Sequence, residues 1–223
     1  MPRKKKATEK KTKKDEMISE DLPFFVIEGS EKPAPPKLRT IGLYGEIEEE
    51  KVGELTYAML ALTELGKKEI KEDPEDFNSK TIKTEYMPFE FYISTWGGSA
   101  ADMFALYDTM KLVREKCEIR TVGMGKVMSA GVLLLAAGTK GNRKIGENCR
   151  VMLHSVIGGQ YGPIHNLENE MDEIRWIQEQ HIKALVKETD MTERYLKKLL
   201  NRKVNVYLTA KEAVELGIAD EII

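Results

Sequence analysis

"KVMSAGVLLLAAGTKG", residues 126–141, sets one hydroxyl, Ser129, at the mouth of the apolar run Val132-Leu133-Leu134-Leu135-Ala136-Ala137. The residues before it, "IRTVGMG" (119–125), read as a strand, and the quoted stretch reads as the helix that this strand leads into. A helix apolar on every side belongs inside the molecule. The first turn of such a helix aims backbone N–H groups at whatever docks beside Ser129 and favours developing negative charge there. Two readings of the serine stay open: a cap on a buried helix, or a nucleophile at the rim of a dry pocket.

Outward from this stretch, strands and helices alternate. Upstream, "TIGLYG" (40–45) reads as a short buried strand. "EEEKVGELTYAMLALTEL" (48–65) follows as a helix with Val52, Leu55, Met59 and Leu62 at helical spacing. Residues 66–88 are polar, proline-bounded and without sustained period, the pattern of a surface excursion. "FEFYIST" (89–95) is a strand that turns through Gly97-Gly98 into the helix carrying Met103, Leu106, Met110 and Val113. Downstream, "CRVMLHS" (149–155) is an apolar strand ending on His154, followed by the glycine-rich "GGQYG" (158–162). The spacing then predicts a long helix over 164–189, with Ile164, Leu167, Met171, Ile174, Ile177 and Leu185 on one stripe. Two shorter helices follow at 192–202 and 209–217, with Thr192 and Thr209 as N-caps. The class is α/β.

Composition narrows the function. Among 223 residues the formal net charge is only −2 with 32% charged residues, which points to neither nucleic acid nor a membrane surface. Positive charge concentrates in "MPRKKKATEKKTKK", read with the rest of 1–22 as a disordered basic tail. Residues 23–40, with Pro23, Pro33, Pro35 and Pro36, read as an extended leader. The apolar run near 127–137 is far shorter than a membrane span. Cys117 and Cys149 give no disulfide framework and no CxxC pair, and read as reduced thiols of an intracellular protein. No HExxH or similar spacing supports a metal site. Of three histidines, His165 and His181 fall on the long helix and read as exposed or interfacial, while His154 ends an apolar strand, where a packed, hydrogen-bonded core residue is the default reading.

Taken together, "YDTM", "GKVMSAGVLLLAAGTKGNR", "CRVMLH", "GGQYG" and "LTAKEAVELGIAD" resemble the proteolytic subunit of the Clp protease, the ClpP family, from about Ile41 to the C-terminus. The resemblance implies a crotonase/ClpP-like α/β fold with a protruding strand-and-long-helix handle, spanning 41–223 with an insertion at about 66–88. It implies a serine endopeptidase working without a cofactor of its own, with Ser129 as nucleophile and His154 as general base. Gly98 and Ala130 match the oxyanion-hole positions, and Gly97, Gly158 and Gly159 match segments that contact substrate. It further implies heptameric rings, two of them stacked into a tetradecamer, fed by an AAA+ Clp unfoldase that spends the ATP, in the cytoplasm. On this pattern 23–40 would hold an axial gate segment, with Phe24, Phe25 and Val26 as its apolar residues.

This chain also departs from the pattern. Asn205 stands where the family has the triad Asp, four residues before Thr209. An Asn oxygen can accept from His Nδ1, but the amide can also flip, and it brings no charge to steady an imidazolium. Asp172 and Asp190 are other acids of the region. Trp96 replaces a usual proline, and Val204-Asn205 fall where an Arg-Asp pair helps link rings. These departures leave open a weakly active or inactive structural subunit that co-assembles with an active ClpP. A third reading, an acyl-CoA enzyme on the same scaffold, has no use for a Ser–His pair.

Overall fold

Strand β4 (Phe89–Gly98) explains the architecture best, because its side chains alternate strictly between buried and half-exposed over most of its length. It lies between β1 (Thr40–Ile47) and β5 (Ile119–Met128), parallel to both. The sheet continues through β6 (Lys144–Ile145) to β9 (Glu221–Ile222), all parallel. Near its end β5 changes partner. Val122 and Gly123 pair with β6, and Lys126–Met128 pair with β7 (Arg150–Leu153). Strand β8 (Val206–Leu208) adds antiparallel to β7. The computed structural model describes residues 38–71, 82–201 and 204–223.

Among the described residues six helices pack on this sheet or on one another: α1 (Glu49–Leu65), α2 (Ala100–Arg114), α3 (Ala130–Ala136), α4 (Ile164–Glu188), α5 (Glu193–Leu200) and α6 (Ala210–Glu215). The leucines and alanines of α3 are fully buried, as an all-apolar helix requires. Thr192 caps α5 by accepting from the Tyr195 N–H, and Thr209 forms a reciprocal capping box with Glu212 on α6. Buried polar side chains tie the layers. Arg143 donates to the carbonyls of Ala136, Glu188 and Gly217 and pairs with Asp220. Arg114 and Tyr107 both donate to Glu188 at the end of α4. Burial would raise the Glu188 carboxyl, but these donors outweigh it and hold its pKa low.

Three expectations change in the structure. The helix expected from residue 126 begins only at Ala130, because Lys126–Met128 remain in the sheet to meet β7. The excursion at 66–88 contains an antiparallel pair, β2 (Lys67–Lys71) and β3 (Ile82–Tyr86), flanking residues outside the described set. Its ladder sets Lys68 opposite Glu85 and Ile70 opposite Lys83 with little burial, so no hydrophobic period marked it. Arg39 anchors its base by donating to the carbonyls of Leu62, Met87 and Pro88. In the expected handle, α4 is present, while 154–163 joins no ladder among the described residues. The tail at 1–22 and the gate residues Phe24, Phe25 and Val26 lie outside the described residues.

Candidate active site

Ser129 occupies the one-residue turn between β5 and α3 with φ 54° and ψ −123°, the only non-glycine positive φ among the described residues. That conformation costs about 1–3 kcal/mol and persists only where surroundings impose it. Here the Ser129 N–H donates to the Met152 carbonyl of β7 at 2.8 Å, and its own carbonyl accepts from Val132. The hydroxyl makes no capping bond to α3. Instead Ser129 Oγ lies 2.8 Å from Nε2 of His154, the residue that follows β7. Pairing of β5 with β7 brings these groups together from 25 positions apart.

The other ring nitrogen fixes the tautomer. His154 Nδ1 lies 2.5 Å from the Ser155 carbonyl oxygen. A carbonyl only accepts, so Nδ1 carries the proton and Nε2 presents its lone pair to the Ser129 hydroxyl. That is the arrangement a general base needs.

A cavity of about 350 Å³ opens beside this pair. Gly98 and Ala130 line it with Ser129 and His154, and Trp96, Met103, Ile157 and Ile177 supply apolar wall. Glycine is required at both positions ending β4. A Cβ on Gly97 (φ +104°) would lie 2.6 Å from the Ser129 Cβ, and one on Gly98 (φ +155°) would strike the Ile47 backbone. Gly158 packs against Ile174 of α4, while Gly159 has open space around it, both beyond the cavity lining. The Lys126 ammonium sits 4.8 Å from the Trp96 ring centre, which steadies that wall.

Asn205 lies one position beyond the Leu153–Val206 pairing of β7 with β8, across from His154, but it makes no hydrogen bond to the imidazole among the described residues. It is exposed just before β8. Asp172 pairs with Arg175, and Asp190 lies against Gly217, so neither acid meets the imidazole. The position Nδ1 would offer an acid is taken by the Ser155 carbonyl.

His181 corrects a second expectation. It is buried at 7% exposure, lines the same cavity, and its Nε2 has no hydrogen-bond partner among the described residues. Burial, with His154 nearby as a lesser cause, pushes its pKa down to about 4, so the ring is neutral at pH 7. One signal could have found it: His181 falls four residues after Ile177 and four before Leu185, on the apolar stripe itself. His165 is exposed, as expected.

A hydroxyl in a strained turn, facing the lone pair of an imidazole nitrogen beside a partly apolar cavity, is the geometry of a serine-type hydrolase. The family model described as Clp protease matches residues 81–223, and the chain belongs to that family. It is therefore a ClpP-like, serine-type peptidase in general terms, and its mostly parallel sheet with six helices is the ClpP/crotonase-like fold. Among the described residues, no helix is long and apolar enough to cross a membrane.

Proposed function

We propose that the chain is the serine endopeptidase subunit of a self-compartmentalising, ATPase-dependent protease that degrades unfolded polypeptides. The observation that carries this reading is the 2.8 Å contact between Ser129 Oγ and an Nε2 whose tautomer is set by a carbonyl. In this reading Ser129 Oγ attacks the scissile carbonyl while His154 Nε2 takes its proton. The Gly98 and Ala130 amides hold the oxyanion, a role whose loss costs about 10²–10³ in rate per donor. His154 then protonates the leaving amine, and water repeats the sequence to release the acyl group. The segment 157–159, with Gly158 and Gly159, offers backbone groups to an extended peptide, and Gly97 keeps the approach to Ser129 open. Pairing through main chain recognises almost any unfolded sequence.

Partners follow from the family and from surface left bare. On α4, Ile164, Met171 and Trp176 are each about half exposed or more, which suits burial against further copies of the chain in two stacked heptameric rings. An AAA+ Clp unfoldase would supply the ATP-driven feeding, in the cytoplasm. A fluorophosphonate probe should label the wild type and fail on Ser129→Ala. Equal labelling of both would remove Ser129 as nucleophile.

Asn205, exposed and without a hydrogen bond to His154 among the described residues, favours a second reading, a weakly active or inactive ring subunit that co-assembles with an active ClpP-type partner. Native mass measurement beside a fluorogenic peptide assay separates the two. Assembly without turnover, in both the wild type and Asn205→Asp, supports the structural role; turnover by the homo-oligomer removes it.

A further inference from the structure

The Ser155 carbonyl that fixes the His154 tautomer belongs to a peptide group whose other end is also held. The N–H of that same group, on Val156, donates to Oε1 of Gln178 on α4 at 2.8 Å. No peptide bond here is cis, so the C=O and N–H point to opposite sides of the unit. One amide plane is thus clamped between the His154 imidazole on one side and the Gln178 side chain on the other. Hydrogen bonds run in series from Gln178 Oε1 through Val156 N–H and Ser155 C=O to His154 Nδ1–H, and from Nε2 to Ser129 Oγ.

We propose that Gln178 is a positioning residue for His154, acting through the 155–156 peptide in the place where a triad acid would otherwise act. Three physical consequences follow. The segment 154–163 joins no ladder among the described residues, so without the Gln178 bond the 155–156 peptide is free to rotate and turn its carbonyl away from Nδ1. Donation from Val156 N–H to Gln178 polarises the amide and makes its carbonyl a stronger acceptor for Nδ1–H. A carbonyl cannot donate, so it enforces the one tautomer that leaves Nε2 free, which a flippable Asn amide does not. A neutral carbonyl steadies the imidazolium less than a carboxylate does, so the device supplies orientation rather than charge. Gln178 is suited to this task because α4, rigid and packed on the body through Ile182 and Leu185 one and two turns later, fixes where its amide begins.

The inference rests on the peptidase reading above, and the test separates the two. The full-length assembled protein is assayed with a fluorogenic peptide and a fluorophosphonate as wild type, Gln178→Met, Gln178→Asn and Gln178→Glu. Met removes the acceptor, and Asn withdraws it by one methylene. Each should lower kcat and the labelling rate about 10- to 100-fold, the cost of a misplaced catalytic group, with KM within about threefold. Glu keeps an oxygen at the same reach and should recover the rate to within about threefold of wild type. Should the Met variant fail to fold, the Asn variant carries the comparison. The inference is overturned if Met and Asn keep wild-type kcat, or if only KM rises, which would make Gln178 a mere anchor of the substrate segment. It is equally overturned if Glu loses as much as Met. A wild type that neither cleaves nor labels removes the peptidase reading, and this inference with it.

Discussion

Replacing His181 by Met should make the protein less sensitive to mild acid, and the size of the effect follows from the ring's burial. The folded state holds the His181 pKa at about 4 against an ordinary 6.5. Between those values the unfolded chain binds a proton that the folded chain refuses. Stability that is complete above pH 6.5 is therefore lost as pH falls toward 4. Across the full window the shift corresponds to about 3 kcal/mol. From pH 7 to pH 5 alone, the linkage relation gives a loss of about 2 kcal/mol. The lowered carboxylates, Glu188 and Asp220, lose their contribution only at more acid pH, so this interval isolates the imidazole. Urea unfolding at pH 7 and pH 5 reads the difference. With a slope of about 2 kcal/mol per molar, the wild-type midpoint should fall by about 1 M more than that of His181→Met. An identical midpoint shift in both proteins would refute the argument, because it would mean that the ring is not held neutral by its surroundings.

Two further outcomes are expected. Ser129→Gly should unfold at higher urea than Ser129→Ala by about 1 kcal/mol, because both remove the hydroxyl but only glycine relaxes the positive φ; equal midpoints would show that the turn stores no strain. Arg143→Met should destabilise by about 2–4 kcal/mol in thermal or urea unfolding, since it leaves three buried carbonyls without their donor and takes the charged partner from Asp220, which keeps only the Gly141 and Arg143 backbone N–H groups. A loss below about 1 kcal/mol would mean that water replaces the guanidinium freely.

Local patterns made much of the scaffold legible. The alternation of "FEFYIST", the unbroken apolar run 132–137 and the threonine caps at 192 and 209 each encode an element within a few residues, so α/β order could be read directly. Ser129 and His154 were legible for a related reason: each ends a strand, and strand ends collect at one edge of a parallel sheet. The β2–β3 pair escaped notice because lysines and glutamates hold it without a buried face. The end of β5 escaped because its continuation depends on a partner strand more than twenty residues away.

What the sequence alone determined was which residues could do chemistry and which segments are stiff, because period and capping act over one or two turns of chain. Only the tertiary structure decided that the third contact of the imidazole is a backbone carbonyl rather than Asn205. Tertiary packing alone also turned His181 inward and set Gln178 beneath the 155–156 peptide. The last two outcomes depend on how α4 rotates as it docks against α3 and α5, and a helix stripe specifies that angle only to within a residue or so.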